Sequence, residues 1–262
     1  MSLFAGIDIG SLSCEAVILD ADQRIVATAQ TLTGARSGVA IERAMSEALA
    51  AAGVAREELR ALVATGYGRD RVEGRSRAVT EITCHARGAY HLFPATRLLI
   101  DVGGQDCKAV RLGDDGKVID FAMNDKCAAG TGRFFEVVAR ALEIDLDDFG
   151  PLALRAERAV PLSTVCTVFA ESEVVSLVAQ DEPTANLCAG LCAAAAERVR
   201  GLVQRVGHAT EITATGGGAL NVGLVRALET VLGAPINVPE RPQLAGALGA
   251  ALLGWESCHA PV

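Results

Sequence analysis

The sequence is poor in aromatic residues, in lysine and in long apolar stretches. Aromatic residues make up 4% of the 262 residues, and lysine occurs only at Lys108, Lys117 and Lys126. The formal net charge of −8 argues against a nucleic-acid partner, because such binding depends on neutralising phosphates. No uncharged apolar run reaches the roughly 18 residues of a membrane helix, and no basic segment precedes an apolar run at the N-terminus. We expect a soluble, cytoplasmic protein that binds neither nucleic acid nor membrane.

The residues that are abundant favour an α/β protein. Half of the chain is hydrophobic, and there are 27 glycines. Small aliphatic residues and glycine suit parallel strands, helices and tight turns. The length allows one large domain or two of ordinary size. The eight cysteines are expected to be mostly buried apolar residues, because disulfides are uncommon in a protein without a secretory signal.

One pattern of strands occurs twice along the chain. An apolar strand with aspartate near its end leads through a glycine-containing turn into two further strands, first with Asp8 and again with Asp101. This repeat predicts two domains of one fold, although two unrelated hairpins would give the same pattern. The predicted strands are Leu3–Ile9, Cys14–Asp20, Arg24–Thr31, Leu59–Thr65, Arg97–Val102, Lys108–Leu112, Val118–Met123, Glu211–Thr215 and Ile236–Val238, with helices at 38–53, 82–92, 131–143, 168–180, 185–206, 221–232 and 243–255.

Both hairpins have the composition of a phosphate-binding turn. Backbone N–H groups and hydroxyls in such a turn point at a phosphate, and the neighbouring carboxylate binds Mg²⁺ directly or through water. In the second hairpin, glycines leave room for a γ-phosphate and Gln105 is placed to orient an attacking water. The candidate residues are Asp8, Gly10, Ser11 and Ser13 in the first hairpin and Asp101, Gly103, Gly104 and Gln105 in the second.

A third glycine-rich turn and a helix of small residues complete the pattern. The turn at Gly216, Gly217, Gly218 and Ala219 allows backbone to pack against adenine and ribose, and the last helix carries small residues that permit close packing. These elements occur in the order found in the actin, sugar-kinase and heat-shock-chaperone fold, which the chain resembles. The resemblance implies two mixed-sheet domains, 1–94 plus 241–262 and 95–240, with ATP and Mg²⁺ bound between them.

Two cysteines stand directly before predicted helices. Cys127 precedes the turn Gly130-Thr131-Gly132, and Cys166 precedes Thr167. A helix N-terminus stabilises a thiolate or an anionic cluster, so this pair has the setting of metal ligands. Buried structural cysteines remain the alternative from composition alone. Two thiolates do not complete a four-thiolate iron–sulfur site, but a two-fold symmetric dimer would supply two more.

Several runs together resemble the ATP-dependent activators of 2-hydroxyacyl-CoA dehydratases, in the family shared with the ATPase subunits of benzoyl-CoA reductase. They are GIDIGS, ATGYGR, EITCHARGA, DVGGQD, NDKCAAGTGRF, STVCTVFAESEV and GALGAAL. The resemblance implies a homodimer holding one 4Fe–4S cluster between subunits through Cys127 and Cys166. It also implies ATP-driven donation of single electrons to a dehydratase or a related two-cluster reductase. A ferredoxin or flavodoxin is the expected electron donor.

The sequence departs from that family in the first hairpin, where members often have lysine in place of Glu15 and threonine in place of Leu12. A carboxylate near phosphates is unfavourable unless it points away. The remaining cysteines are expected to be structural: Cys14 and Cys107 in hairpins, Cys84, Cys188 and Cys192 in helices, and Cys258 in a tail.

Two other functions suit the same fold. A small-molecule kinase would need an acceptor-binding insertion, for which 262 residues leave little room. A filament-forming assembly protein would form nucleotide-dependent polymers without iron. Neither of these functions explains Cys127 and Cys166, and the colour of anaerobically purified protein would distinguish both from the activator.

Overall fold

The computed structural model describes residues 2–124, 130–162 and 167–259. The chain forms two compact units. The first contains residues 2–96, 112–118 and 243–259, and the second contains the described residues of 97–111 and 119–242.

The first unit is built on a five-stranded mixed sheet of order β3-β2-β1-β4-β5. Strands β1 and β2 are antiparallel, as are β2 and β3, whereas β4 runs parallel to β1 and β5 runs parallel to β4. The strands are β1 (Leu3–Ile9), β2 (Ser13–Leu19), β3 (Ile25–Leu32), β4 (Leu59–Gly66) and β5 (Arg77–Ala78).

Helices cover both faces of this sheet. Helix α1 (Ser37–Ala52) buries Ile41 and Met45 against β1 and β2. Helices α2 (Glu81–Leu92) and α8 (Ala245–His259) cover the other face. A Cβ added at Gly249 would lie 1.8 Å from the carbonyl oxygen of Cys84. The close approach predicted from the small residues of the last helix is therefore confirmed within this unit.

The second unit repeats the sheet, with the order β10-β9-β6-β7-β8. Strand β6 is antiparallel to β7 and parallel to β9, as β1 is to β2 and β4. The internal duplication predicted from the two hairpins is confirmed. These strands are β6 (Leu98–Val102), β7 (Cys107–Leu112), β8 (Val118–Asn124), β9 (Ile212–Thr215) and β10 (Ile236–Asn237).

The described residues of the second unit include five α-helices. They are α3 (Gly132–Ala141), α4 (Leu146–Ala153), α5 (Thr167–Val178), α6 (Thr184–Val206) and α7 (Val222–Leu232). The long helix α6 buries a continuous series of apolar residues, including Leu187, Leu191 and Val199, in the core of this unit.

Helix α4 and the two-residue strand β5 were not predicted from the sequence pattern. Helix α4 contains Gly150 and Pro151, a pair that usually interrupts a helix. Gly150 is needed because its added Cβ would lie 2.9 Å from the backbone nitrogen of Val222. The expectation that Cys258 lies in a tail is wrong. Helix α8 continues to His259, whose ring stacks on Trp255.

None of the helices in the described ranges combines the length and apolar character that a membrane-spanning segment needs.

Candidate functional site

The two predicted phosphate hairpins close in the same way. The backbone N–H of Gly10 donates to the carbonyl oxygen of Ser13 at 2.9 Å. In the same way, the N–H of Gly103 donates to the backbone carbonyl oxygen of Asp106 at 2.9 Å. Ser11 and Ser13 are half-buried in the first turn. This identical closure fixes the strand register, so that Asp8 lies opposite Glu15 and Asp101 lies opposite Lys108.

The second hairpin is fixed to the start of α3. The N–H groups of Gly132 and Arg133 donate to the carbonyl oxygens of Gly103 and Gly104, each at 2.9 Å. Gln105 at the tip of the turn is exposed. The turn is therefore held by backbone hydrogen bonds while its glutamine side chain remains accessible to solvent.

Asp101 lies in a buried, charge-paired cluster. The Lys108 ammonium lies 3.1 Å from Asp101 Oδ2 and 2.8 Å from Asp106 Oδ1, and all three side chains are at most 3% exposed. Thr215 donates its hydroxyl to Asp101 Oδ1 at 3.0 Å. Both oxygens of Asp101 are thus engaged, and the lysine was not singled out by sequence reasoning.

Asp8 has different surroundings from its counterpart. His85 Nε2 lies 3.2 Å from Asp8 Oδ2, and both side chains are buried. An added Cβ at Gly246 would lie 1.9 Å from the same oxygen, so α8 passes directly over this carboxylate. Asp8 Oδ1 is buried and has no hydrogen-bond partner among the described residues.

Glu15 is buried on the same face of the sheet as Asp8. Directly opposite residues of an antiparallel pair share one face of the sheet, and Glu15 is 4% exposed there. Its carboxylate accepts a hydrogen bond from Gln30 Nε2 at 3.1 Å. Burial and the neighbouring Asp8 carboxylate raise the pKa of Glu15 to about 8, although hydrogen bonds from Ser13 and Gln30 act in the opposite direction.

A second repeat surrounds the two aspartates. Ala64-Thr65-Gly66-Tyr67-Gly68 follows β4 into its turn, and Ala214-Thr215-Gly216-Gly217-Gly218 follows β9. Both first glycines have positive φ angles, +82° at Gly66 and +81° at Gly216, and a Cβ at either would contact the aspartate of the neighbouring strand. The shared pattern Ala-Thr-Gly-x-Gly is the sequence signal for these contacts. Its first copy contributed to the predictions only through the family resemblance, and its second copy only as the adenosine turn.

The third predicted turn borders a cavity in the second unit. The cavity measures about 350 Å³ and has a largely apolar wall that includes Phe135 and Leu146. Of the four predicted adenosine residues, Gly217 and Gly218 line it. Gly216 instead packs over Asp101, and Ala219 is buried in the core. Helix α4 and Asn221 complete the lining, and sequence reasoning missed both.

The family assignment rests on nearly the whole chain. The BadF/BadG/BcrA/BcrD ATPase family matches residues 5–254. The chain belongs to this ATPase family. The match covers both hairpins, both Ala-Thr-Gly-x-Gly turns and most of α8, so it confirms the resemblance drawn from the sequence runs and the assignment as an ATPase.

Relatives of known name share the full length of this ATPase. It is 45% identical over 254 residues to the activator of lactoyl-CoA dehydratase from Anaerotignum propionicum, covering 97% of this chain and 98% of that protein. The structure of component A of (R)-2-hydroxyglutaryl-CoA dehydratase from Acidaminococcus fermentans superposes with a TM-score of 0.95 at 39% identity, covering 99% of this chain and 100% of that one.

A second solved structure contains a nucleotide. The activator of 2-hydroxyisocaproyl-CoA dehydratase from Clostridium difficile, with bound ADPNP, has a TM-score of 0.93 at 39% identity and covers 98% of this chain and 96% of that one. A glucokinase from Streptomyces griseus, at 15% identity and a TM-score of 0.61 over 97% of this ATPase and 98% of that chain, shares the fold alone. The predicted actin and sugar-kinase fold is confirmed.

The two predicted cluster ligands of this ATPase, Cys127 and Cys166, lie outside the described residues. Cys14, Cys84, Cys107, Cys188 and Cys192 are buried, whereas Cys258 is exposed. Burial raises the pKa of the Cys84 and Cys188 thiols to about 12, and it also raises the pKa of the Cys14, Cys107 and Cys192 thiols. These five thiols stay protonated at neutral pH, as expected for structural cysteines.

Proposed function

We propose that this chain is an ATP-hydrolysing iron–sulfur protein that donates single low-potential electrons to a partner 2-hydroxyacyl-CoA dehydratase or a related two-cluster reductase. The observation that carries the proposal is the full-length likeness to dehydratase activators, at 45% identity in one case. A ferredoxin or flavodoxin is the proposed electron donor, and the functional unit is a homodimer.

The nucleotide part of the proposal assigns ATP phosphates and Mg²⁺ to the two hairpins. Gly10, Ser11 and Ser13 in one turn and Gly103 and Gly104 in the other supply N–H groups and hydroxyls for the phosphates. Gln105 orients the attacking water. A likeness of 39% identity to a structure with bound ADPNP supports this assignment.

The aspartates fit Mg²⁺ in different ways. Asp8 Oδ1, which is buried and has no partner among the described residues, is a hard oxygen of the kind that Mg²⁺ prefers. Asp101 already binds Lys108 and Thr215, and an ammonium 3.1 Å away disfavours a directly bound cation. Asp101 is therefore proposed to act on Mg²⁺ through water.

The cavity beside Gly217 and Gly218 is proposed to hold the adenosine group. About 350 Å³ falls in the usual range for small-molecule pockets of roughly 300–1,000 Å³. Its apolar wall suits a flat base. Gly216 and Ala219, which do not line the cavity, are proposed to support the turn and not to contact the nucleotide.

The cluster part of the proposal assigns one 4Fe–4S group per dimer to Cys127 and Cys166 of each chain. The helices that follow these cysteines are α3 and α5, which begin at Gly132 and Thr167. A bound cluster would supply the one-electron chemistry that ATP hydrolysis alone lacks.

Anaerobic purification tests the proposal. We expect a brown dimer with about four irons, as one Cys₄-type 4Fe–4S cluster requires, and loss of iron in Cys127→Ala and Cys166→Ala. Cys258→Ala is the matched control, since this thiol is exposed on α8, and it should keep its iron. A colourless wild-type protein, or a fully loaded cluster in either ligand variant, would exclude this function or this ligand set.

A further inference from the structure

The duplicated sheets permit a position-by-position comparison of the two hairpins. The pairs Asp8↔Glu15 and Asp101↔Lys108 occupy the same register, and Thr65 and Thr215 occupy the same position on the next strand. In the second unit a lysine neutralises the aspartate and a threonine donates to it. In the first unit a glutamate takes the place of the lysine.

In the first unit one oxygen of the aspartate lacks a donor. Asp8 Oδ1 is buried and has no hydrogen-bond partner among the described residues, whereas the Thr65 side chain is hydrogen-bonded with the Cys84 thiol. Asp8 is 4% exposed and Thr65 is fully buried. Gln243 Oε1 is another buried oxygen without a partner among the described residues, and its side chain connects through Gln30 to Glu15. Oxygens are the ligands of hard divalent cations.

Asp8 and Glu15 have different contacts from the aspartate and lysine at the same positions of the second unit. His85 contacts Asp8 Oδ2, and Gln30, which is neutral, contacts Glu15. In the second unit an ammonium lies at this register position. A divalent cation held by oxygen ligands would supply positive charge at the same position of the first unit.

We propose that Asp8 and Glu15 together form a divalent-cation site in the first unit that fills in the absence of nucleotide. Asp8 Oδ1 and the Glu15 carboxylate are the protein ligands, and His85 is a positioning residue that holds the other oxygen of Asp8. This inference rests on the proposed nucleotide function for the role of Asp8, and it adds Glu15 and a binding order in which the metal precedes ATP.

The test is Mn²⁺ binding to the nucleotide-free dimer, followed by electron paramagnetic resonance of the free ion. We expect one bound Mn²⁺ per chain in the wild type and an affinity lower by about tenfold or more in Glu15→Gln and in Asp8→Asn. Glu15→Lys should abolish the binding, because it recreates the ammonium of Lys108. Glu47→Gln, the same chemical change at an exposed position of α1, should bind like the wild type.

Thermal unfolding separates a lost ligand from a lost fold. Mg²⁺ should raise the melting temperature of the wild type and of Glu47→Gln but not that of Glu15→Gln. The inference is overturned if nucleotide-free wild type binds no Mn²⁺, or if Glu15→Gln binds it as tightly as the wild type. If one of these results is found in a protein with an intact cluster and ATP-dependent electron transfer, the cation site is refuted and the proposed function is not. Missing iron would refute the proposed function and would not bear on the cation site.

Discussion

At the scale of single residues, the two aspartates at the ends of β1 and β6 look alike in sequence but differ in charge balance. Asp101 is held between Lys108 and Thr215, whereas within the described part of the chain Asp8 is held by His85 on one of its two oxygens. The difference follows from one position per hairpin, Glu15 or Lys108, because the closed turn fixes which residue faces the aspartate.

Asp101→Asn should lower ATPase turnover by a factor on the order of a hundred, because phosphoryl transfer depends on positioned charge around Mg²⁺ and its waters. The side chain keeps its shape, so the variant should remain folded by circular dichroism. Asp115→Asn, whose side chain is 56% exposed, is the control and should turn over ATP normally. Wild-type turnover in Asp101→Asn would refute the assignment.

Lys108→Met should destabilise the protein by about 3 kcal/mol, since it leaves two carboxylates buried without their shared ammonium. The side chain of Lys108 is 2% exposed, whereas that of Lys117 is 83% exposed. Urea unfolding should therefore show a large shift of the midpoint for Lys108→Met and almost none for Lys117→Met. Equal midpoints for the two variants would mean that Lys108 contributes little to stability.

At the scale of elements, the turn after β9 brings glycine to the edge of the cavity. Gly217 has open space where a Cβ would lie, and it lines the cavity. Gly217→Val should therefore fold normally but obstruct the proposed adenosine pocket and weaken ATP binding by at least about tenfold, since a misfitting group in a pocket costs about 1–3 kcal/mol.

Calorimetric titration with an ATP analogue measures this effect. Gly38→Val is a suitable control, because Gly38 in α1 also has open space at its Cβ position and lies outside the cavity lining. Unchanged nucleotide affinity in Gly217→Val would mean that the adenosine group does not bind in this cavity.

The strands, the long helices and the duplication could be predicted, because apolar periodicity and repeated Asp–Gly turns are local signals. Helix α4 could not, since Gly150 and Pro151 are locally unfavourable and the glycine is explained by packing against Asn221 and Val222. Because α4 was not predicted, the part of the cavity wall that it contributes was not predicted either. The opposition of Asp8 and Glu15 follows from hairpin register, but the burial of Asp8 depends on α2 and α8, which contact it through His85 and Gly246 and which no local pattern encodes.

At the scale of the whole molecule, the proposed function requires ATP hydrolysis and electron donation to be linked. A nucleotide shifts an equilibrium only through different affinities for two states. Linkage then requires that, if ATP tightens partner binding, the partner tightens ATP binding by the same factor. An activator that bound its partner equally well with ADP and with ATP would gain nothing from hydrolysis at this step.

We therefore expect the reduced dimer to bind its partner at least about fivefold more tightly with a non-hydrolysable ATP analogue than with ADP, the lower end of typical coupling energies. Asp101→Asn serves as the internal control, because a chain that binds ATP without hydrolysing it should stay bound to the partner. The measurement is partner affinity in the two nucleotide states, together with the reduction potential of the cluster in each. Equal affinities and an unchanged potential would mean that the nucleotide state affects neither partner binding nor the cluster. The coupled mechanism would then be refuted even if the cluster and the ATPase activity were both present.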